Sequence, residues 1–209
     1  FHFDLGAFAD PGTVSYRFTA GDERGAWYSF DPLIETRYTQ IQEILQTEDG
    51  YALVLNRDLT LHMNRDASLV LSCQPAAGDP VPGATLEWGE GLTLTAVPGS
   101  LWQLKRLSRP LATALAYTVR RDNKGHIVSS TLEMDLPVRH ILGTGERFDA
   151  VDQQGRGSNG RVVEKFTNQG EMAYIPIPFF MTESGLGWYR EGGIPSEMAF
   201  KGKVTITQR

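Results

Sequence analysis

One cysteine, Cys73, stands in 209 residues, so no internal disulfide can form. The chain must hold its fold by packing and hydrogen bonding, which favours a reducing compartment and leans the reading towards the cytoplasm. Cations are the minority charge, 20 Lys and Arg against 25 Asp and Glu, for a formal net charge of −5. A nucleic-acid partner, which would call for a basic stripe, is therefore not expected. No apolar run approaches the ~20 residues that span a bilayer, and no membrane partner is expected. The start, Phe1-His2-Phe3-Asp4-Leu5-Gly6, has neither the basic n-region nor the long apolar stretch of a signal peptide. The four histidines, His2, His62, His126 and His140, are too scattered for a metal-ligand motif. No metal and no cofactor is expected.

What the chain has in quantity is strand signal. Two-residue alternations joined by short turn sequences recur along it. Tyr38 to Leu45 and Tyr51 to Leu55 flank Glu48-Asp49-Gly50; Leu59 to Met63 and Leu69 to Cys73 flank Asn64-Arg65-Asp66. Leu86 to Trp88 and Leu92 to Val97 flank Gly89-Glu90-Gly91, and Ala114 to Arg120 and His126 to Leu136 flank Asp122-Asn123-Lys124-Gly125. Serial hairpins predict an all-β fold, an antiparallel β-sandwich, because a parallel sheet would need helical crossovers. The best helix candidate is Leu101 to Leu107, stopped by Pro110. The one Pro/Gly-rich stretch, Gln74 to Ala84, reads as an inter-strand loop, so residues 1–209 are expected to form a single domain.

Three features near the C-terminal end carry the functional question. Gly143-Thr144-Gly145-Glu146 is a lone G-x-G without the third glycine of a dinucleotide loop, and reads as a tight strand-end turn using glycine at positive φ. The polar, glycine-rich segment Asp152 to Met172, with Gln153, Gln154, Asn159, Asn168 and Gln169, predicts a long loop, functional or flexible. Tyr174 to Met181 predicts an apolar strand in which Pro176 and Pro178 remove two ladder donors, placing it at a sheet edge or against something other than a strand. The apolar group Ile175, Ile177, Phe179 and Phe180 would then be a docking surface. Phe200 to Arg209 reads as one further strand.

Taken in order, Gly143-Thr144-Gly145-Glu146-Arg147-Phe148, Glu164 to Gly170, Tyr174-Ile175-Pro176-Ile177-Pro178-Phe179 and Gly185-Leu186-Gly187 resemble one family. The match is to the end of the N-terminal β-sandwich of retaining α-glycosidases, glycoside hydrolase family 31. There G-x-G-E-x-F, an N-x-D-like patch and Y-x-x-I-P-F followed by G-x-G appear in this order and spacing. The resemblance implies a galactose-mutarotase-like supersandwich ahead of a catalytic (β/α)8 barrel. It also implies that the two catalytic aspartates lie on that barrel, the nucleophile in a W-x-D-M-like motif.

None of Trp27, Trp88, Trp102 or Trp188 begins such a motif. A barrel also needs about 250 residues. No catalytic residue is therefore expected in this chain. The resemblance implies a non-catalytic domain with Gly143, Gly145 and Glu146 as architecture and a loop reaching the sugar pocket. Phe166 falls near the aromatic before the loop tip, Asn168 in the N-x-D-like patch, and Gln169 where many members have an aspartate. An amide both donates and accepts where a carboxylate only accepts, so the sugar preference shifts with it. The implied partner is an α-linked oligosaccharide or glycoside, held together with the barrel. The alternative is a free-standing carbohydrate-binding or aldose-epimerase-like domain, in which His62 or His140 would work with Glu146.

Overall fold

The computed structural model describes residues 18–21, 27–30, 33–65, 69–72, 77–83, 85–88, 91–147, 149–160, 162, 172–190 and 196–208. Its strands, in chain order, begin with β1 (Phe18–Gly21), β2 (Trp27–Phe30), β3 (Ile34–Tyr38), β4 (Glu43–Gln46), β5 (Gly50–Asn56), β6 (Leu59–Asn64), β7 (Leu69–Ser72) and β8 (Asp79–Pro80). They continue with β9 (Thr85–Trp88), β10 (Leu92–Thr95), β11 (Trp102–Arg106), β12 (Arg109–Arg121), β13 (Ile127–Asp135) and β14 (Ile141–Glu146). The last are β15 (Gly157–Asn159), β16 (Ile175–Thr182), β17 (Gly187–Tyr189), β18 (Ser196–Lys201) and β19 (Lys203–Gln208). No α-helix occurs among the described residues.

The strands form an all-β, antiparallel sandwich. A nine-stranded sheet runs β15-β18-β19-β13-β12-β11-β10-β9, with β3 paired to β12, and a five-stranded sheet runs β7-β6-β5-β4-β8. A three-stranded sheet, β14-β16-β17, and the β1-β2 hairpin complete it. Alternation in sequence becomes alternation in burial: along β18, Ser196, Met198 and Phe200 point inward while Glu197 and Ala199 are half-buried. Leu53, Leu55, Leu59 and Leu61 of the five-stranded sheet share one buried cluster with Leu94, Ala114, Val119, Leu132, Met134 and Ile206 of the nine-stranded one. Ile141 and Phe180 of the small sheet join the same cluster. The Phe180 and Phe200 rings meet edge to face with centroids 5.3 Å apart, which fastens the small sheet to the large one. Such a pair contributes about 0.5–1.5 kcal/mol beyond the area it buries.

All four expected hairpins form, as β4-β5, β6-β7, β9-β10 and β12-β13. Three expectations are corrected. Tyr38 to Leu45 is not one strand: β3 ends at Tyr38 and pairs with β12, while β4 starts at Glu43 in the other sheet. Leu101 to Leu107 is not a helix, because Trp102–Arg106 is strand β11, bonded on both sides by β10 and β12. Two ready-made ladders outweigh a weak local preference. Phe200 to Arg209 is not one strand either, since β18 and β19 turn back on each other around Gly202.

Candidate functional site

The G-x-G motif lies inside β14, not at its end. Gly143 faces Phe180 and Gly145 faces Pro176, so two steps along β14 correspond to four along β16. The extra residues on β16 form a bulge opposite Thr144. Gly143, Thr144 and Gly145 all have positive φ, 121°, 68° and 98°. A methyl group on Gly143 would lie 2.6 Å from the Phe179 carbonyl oxygen; one on Gly145 would overlap the Ile175 carbonyl oxygen and lie 2.7 Å from the Ile177 nitrogen. Thr144 between them is buried, and its hydroxyl has no partner.

The expectation that two prolines place Tyr174 to Met181 at an edge is corrected for Phe179 to Met181, which β17 pairs, and holds for Ile175 to Pro178, which it does not. Strand β16 is the central strand of its sheet, between β14 and β17. Pro178 sits where β14 offers no opposite residue, and its carbonyl accepts from the Arg190 N–H at 2.9 Å. Pro178 thus lacks its donor where the ladder is already broken, while Pro176 stands opposite Gly145 in a stretch that β17 does not pair with.

Beyond β14 the chain is tied down by charge. Arg147, its side chain only 3% exposed, grips Asp149 with two bonds of 3.0 and 2.8 Å and donates to the Gly157 carbonyl at 3.1 Å. Arg156 adds a contact of 3.3 Å to the same carboxylate. The Arg147 hydrogen bonds hold the Asp149 carboxyl down at about 2, against the opposing effect of burial. A second knot joins His140 to Asp152 at 2.8 Å, while Asp152 also accepts from the Ile141 and Gln154 N–H groups. Asp152 is lowered to about 2, chiefly by His140, and His140 is raised by the same bond. Glu183 closes the cluster, accepting from the Arg139 and His140 N–H groups at 3.0 and 2.8 Å.

These ties correct the reading of residues 152–160 as part of an unstructured loop. Gln153 is fully buried, with its N–H on the Ile141 carbonyl at 2.7 Å. Gly157–Asn159 is strand β15, paired to Met198 and its neighbours on β18. Neither knot was anticipated from the sequence. The available signal was Arg147 two residues ahead of Asp149, a spacing that lets one guanidinium reach a carboxylate across a turn.

Gly143 and Gly145 lie inside β14, facing the bulge of β16, and Glu146 ends β14, exposed and opposite Ile175. Phe166, Asn168 and Gln169 lie outside the described residues, as does Phe148. His140 meets Asp152 and Glu183, and His62 lies on β6 in the five-stranded sheet, so neither is found with Glu146. Among the described residues no group of three His, Cys, Asp or Glu could hold a metal ion. None of them forms a helix long and apolar enough to cross a membrane.

The outward face of the small sheet is apolar. Leu142 stands opposite Met181, Phe179 opposite Tyr189, and Ile175 and Ile177 follow on the same side of β16. Ile175, Ile177, Met181, Leu142 and Tyr189 are 40–64% exposed. Phe180 is corrected: it points inward and is fully buried. Between the two large sheets, Leu61, Tyr117, Ser130, Leu132, Trp188, Ile206 and Gln208 line a cavity of about 80 Å³. Small-molecule sites run to roughly 300–1,000 Å³, a range reached by an open hollow of about 540 Å³ lined by Gln42, Glu43, Val54, Leu55, Asn56 and Arg57, with no histidine in its lining.

No protein-family model matches the chain, and no curated protein matches it. Solved structures do. The Listeria monocytogenes EGD-e protein lmo2446 superposes on 98% of the chain with a TM-score of 0.61 at 16% identity, over 23% of its own length. A Flavobacterium johnsoniae GH31 dextranase superposes on 82% with a TM-score of 0.50 at 11% identity, over 25% of its own length. The likeness is one of fold. The chain spans about a quarter of the length of each, 23% and 25%.

Proposed function

We propose that the chain is the non-catalytic N-terminal domain of a retaining α-glycoside hydrolase of family 31, a single galactose-mutarotase-like sandwich. The outward face of β14-β16-β17 packs against the catalytic barrel, and the segment around Phe166, Asn168 and Gln169 completes the sugar pocket. The observation that carries this reading is that face. Two cross-strand pairs of large apolar side chains line it, exposed Leu142 with Met181 and half-buried Phe179 with exposed Tyr189, and contiguous apolar surface of this kind marks an interaction site. The Listeria protein binds α-D-glucose and β-D-glucose, and the dextranase binds isomaltotriose, which supports an α-linked sugar as the ligand of the whole enzyme. In this reading Asp149 and Asp152 are structural, each held by a basic side chain, Arg147 and His140. Retaining chemistry requires two carboxylates about 5 Å apart across the bond, and these come from the barrel. The free-standing epimerase-like alternative needs a sugar-sized cleft and a histidine beside Glu146.

Two measurements test the proposal. The chain alone is expected to release no aryl α-glucoside or α-xyloside above background, and turnover abolished by changing one of its own carboxylates would sink it. In the full-length enzyme, Gln169→Ala is expected to lower kcat/KM by roughly 0.5–1.5 kcal/mol of transition-state binding, the net worth of one neutral hydrogen bond. Phe166→Ala is expected to cost more, through lost packing on the sugar or the barrel wall. Unchanged kinetics in both variants, with melting temperatures intact, would make this loop a bystander.

A further inference from the structure

The hairpin between β11 and β12 breaks three local rules at once. Its two-residue loop, Leu107-Ser108, has φ of 48° and 68°, the left-handed conformation that asparagine and glycine normally supply in such turns. Leu107 is 77% exposed, the second most exposed of the large apolar side chains described. Arg106 and Arg109 flank the loop as direct cross-strand partners, like charges face to face. Lys105 adds a third cation, opposite Pro110, with Glu87 two strands away in the same row. The tip is nonetheless held in place: the Leu107 N–H donates to the Gly91 carbonyl at 2.9 Å, and its side chain leans on the Gly91 backbone. Each choice runs against a local preference. Local conflicts of this kind collect where a sequence serves something other than its own fold.

We propose that this tip is a second contact with the remainder of the parent enzyme, Leu107 entering an apolar pocket and Arg109 facing a carboxylate at its rim. The inference rests on the domain reading above. Two features favour this occupant: the cations stand out on a chain of net charge −5, and the solved chains of like fold are about four times longer, the match covering 23% of one and 25% of the other. A pre-organised apolar knob with a cationic collar suits an acidic-rimmed pocket.

The test is thermal unfolding of two proteins, this chain and the full-length enzyme, each carrying Leu107→Asn with Ser108→Gly. The chain is expected to melt about 2–6 °C higher once the turn is unstrained, and the enzyme to melt lower, because its contact is lost. Arg109→Glu provides a second pair of opposite signs. It leaves the chain as stable or more so, and it lowers the enzyme's melting temperature by an amount that shrinks above about 0.5 M salt. A chain not stabilised by the turn replacement, or an enzyme stabilised along with it, overturns the inference. Ile177→Lys separates this from failure of the domain reading. If it weakens the enzyme while the tip variants stabilise it, the tip alone is wrong; if it also leaves the enzyme untouched, the domain reading itself fails.

Discussion

Gly145→Ala is expected to destabilise the chain by about 3–5 kcal/mol, adding the overlap of a new methyl group to the strain of left-handed backbone. For a chain of this size that lowers the melting temperature by roughly 6–20 °C. Two independent costs meet at this residue. Its φ of 98° disfavours any side chain, and the added carbon would run into the Ile175 carbonyl and the Ile177 nitrogen, which are backbone and cannot swing aside. Gly155 isolates the first cost: φ is 78° there, but nothing lies within 4 Å of an added methyl, so Gly155→Ala should cost only about 1–2 kcal/mol. Urea and thermal unfolding of both variants measure the difference. Equal losses would mean that the β14-β16 bulge yields to an extra atom and is not the rigid joint inferred from its geometry.

That joint was half legible in the sequence. A glycine's tolerance of positive φ is a local property, so G-x-G could be read as a forced backbone without knowing its partner. The bulge is not local. It exists only because β16 carries extra residues against β14, and the same pairing decides that Pro178 falls where no ladder bond is lost. The hairpins were legible for the opposite reason: strand, turn and return are contiguous, and alternation such as Ser130-Thr131-Leu132-Glu133-Met134 reports burial directly. Trp102-Gln103-Leu104-Lys105-Arg106 misleads because its composition is helix-tolerant while its neighbours on both sides are strands.

The apolar face of β14-β16-β17 was legible as a run of apolar residues but not in its orientation. In Ile175-Pro176-Ile177-Pro178-Phe179-Phe180, alternation places Ile175, Ile177 and Phe179 together and Phe180 on the other side, with the Phe200 ring. The two charge knots were hidden by the same composition that suggested a loop. Polar residues rich in glycine look alike whether they float or bind each other, and only the fold brings His140 to Asp152 or Arg147 to the Gly157 carbonyl. The resemblance places Phe166, Asn168 and Gln169 at a sugar pocket, and their test belongs to the whole enzyme.

Arg147→Met is expected to cost about 2–4 kcal/mol at neutral pH, somewhat below a fully buried ion pair, because Asp149 keeps the Arg156 contact and some access to water. The guanidinium links the exit of β14 to the start of β15, so its loss frees residues 149–157 from the sandwich edge and leaves a carboxylate without its main partner. The acid limb of the stability profile identifies the cause. Because Asp149 is lowered from the ordinary 3.8 to about 2, its ionisation contributes stability that is complete above the unfolded value and is lost as pH falls from about 4 towards 2. Without Arg147 the carboxyl titrates nearer its ordinary range and this share of acid sensitivity disappears. The gap in unfolding free energy between wild type and variant, measured by urea titration, should therefore be wide at pH 7 and narrow steadily below pH 4. A gap that stays constant down to pH 2 would mean that Arg147 acts through packing of its stem alone, and that the ion pair with Asp149 does not hold the joint together.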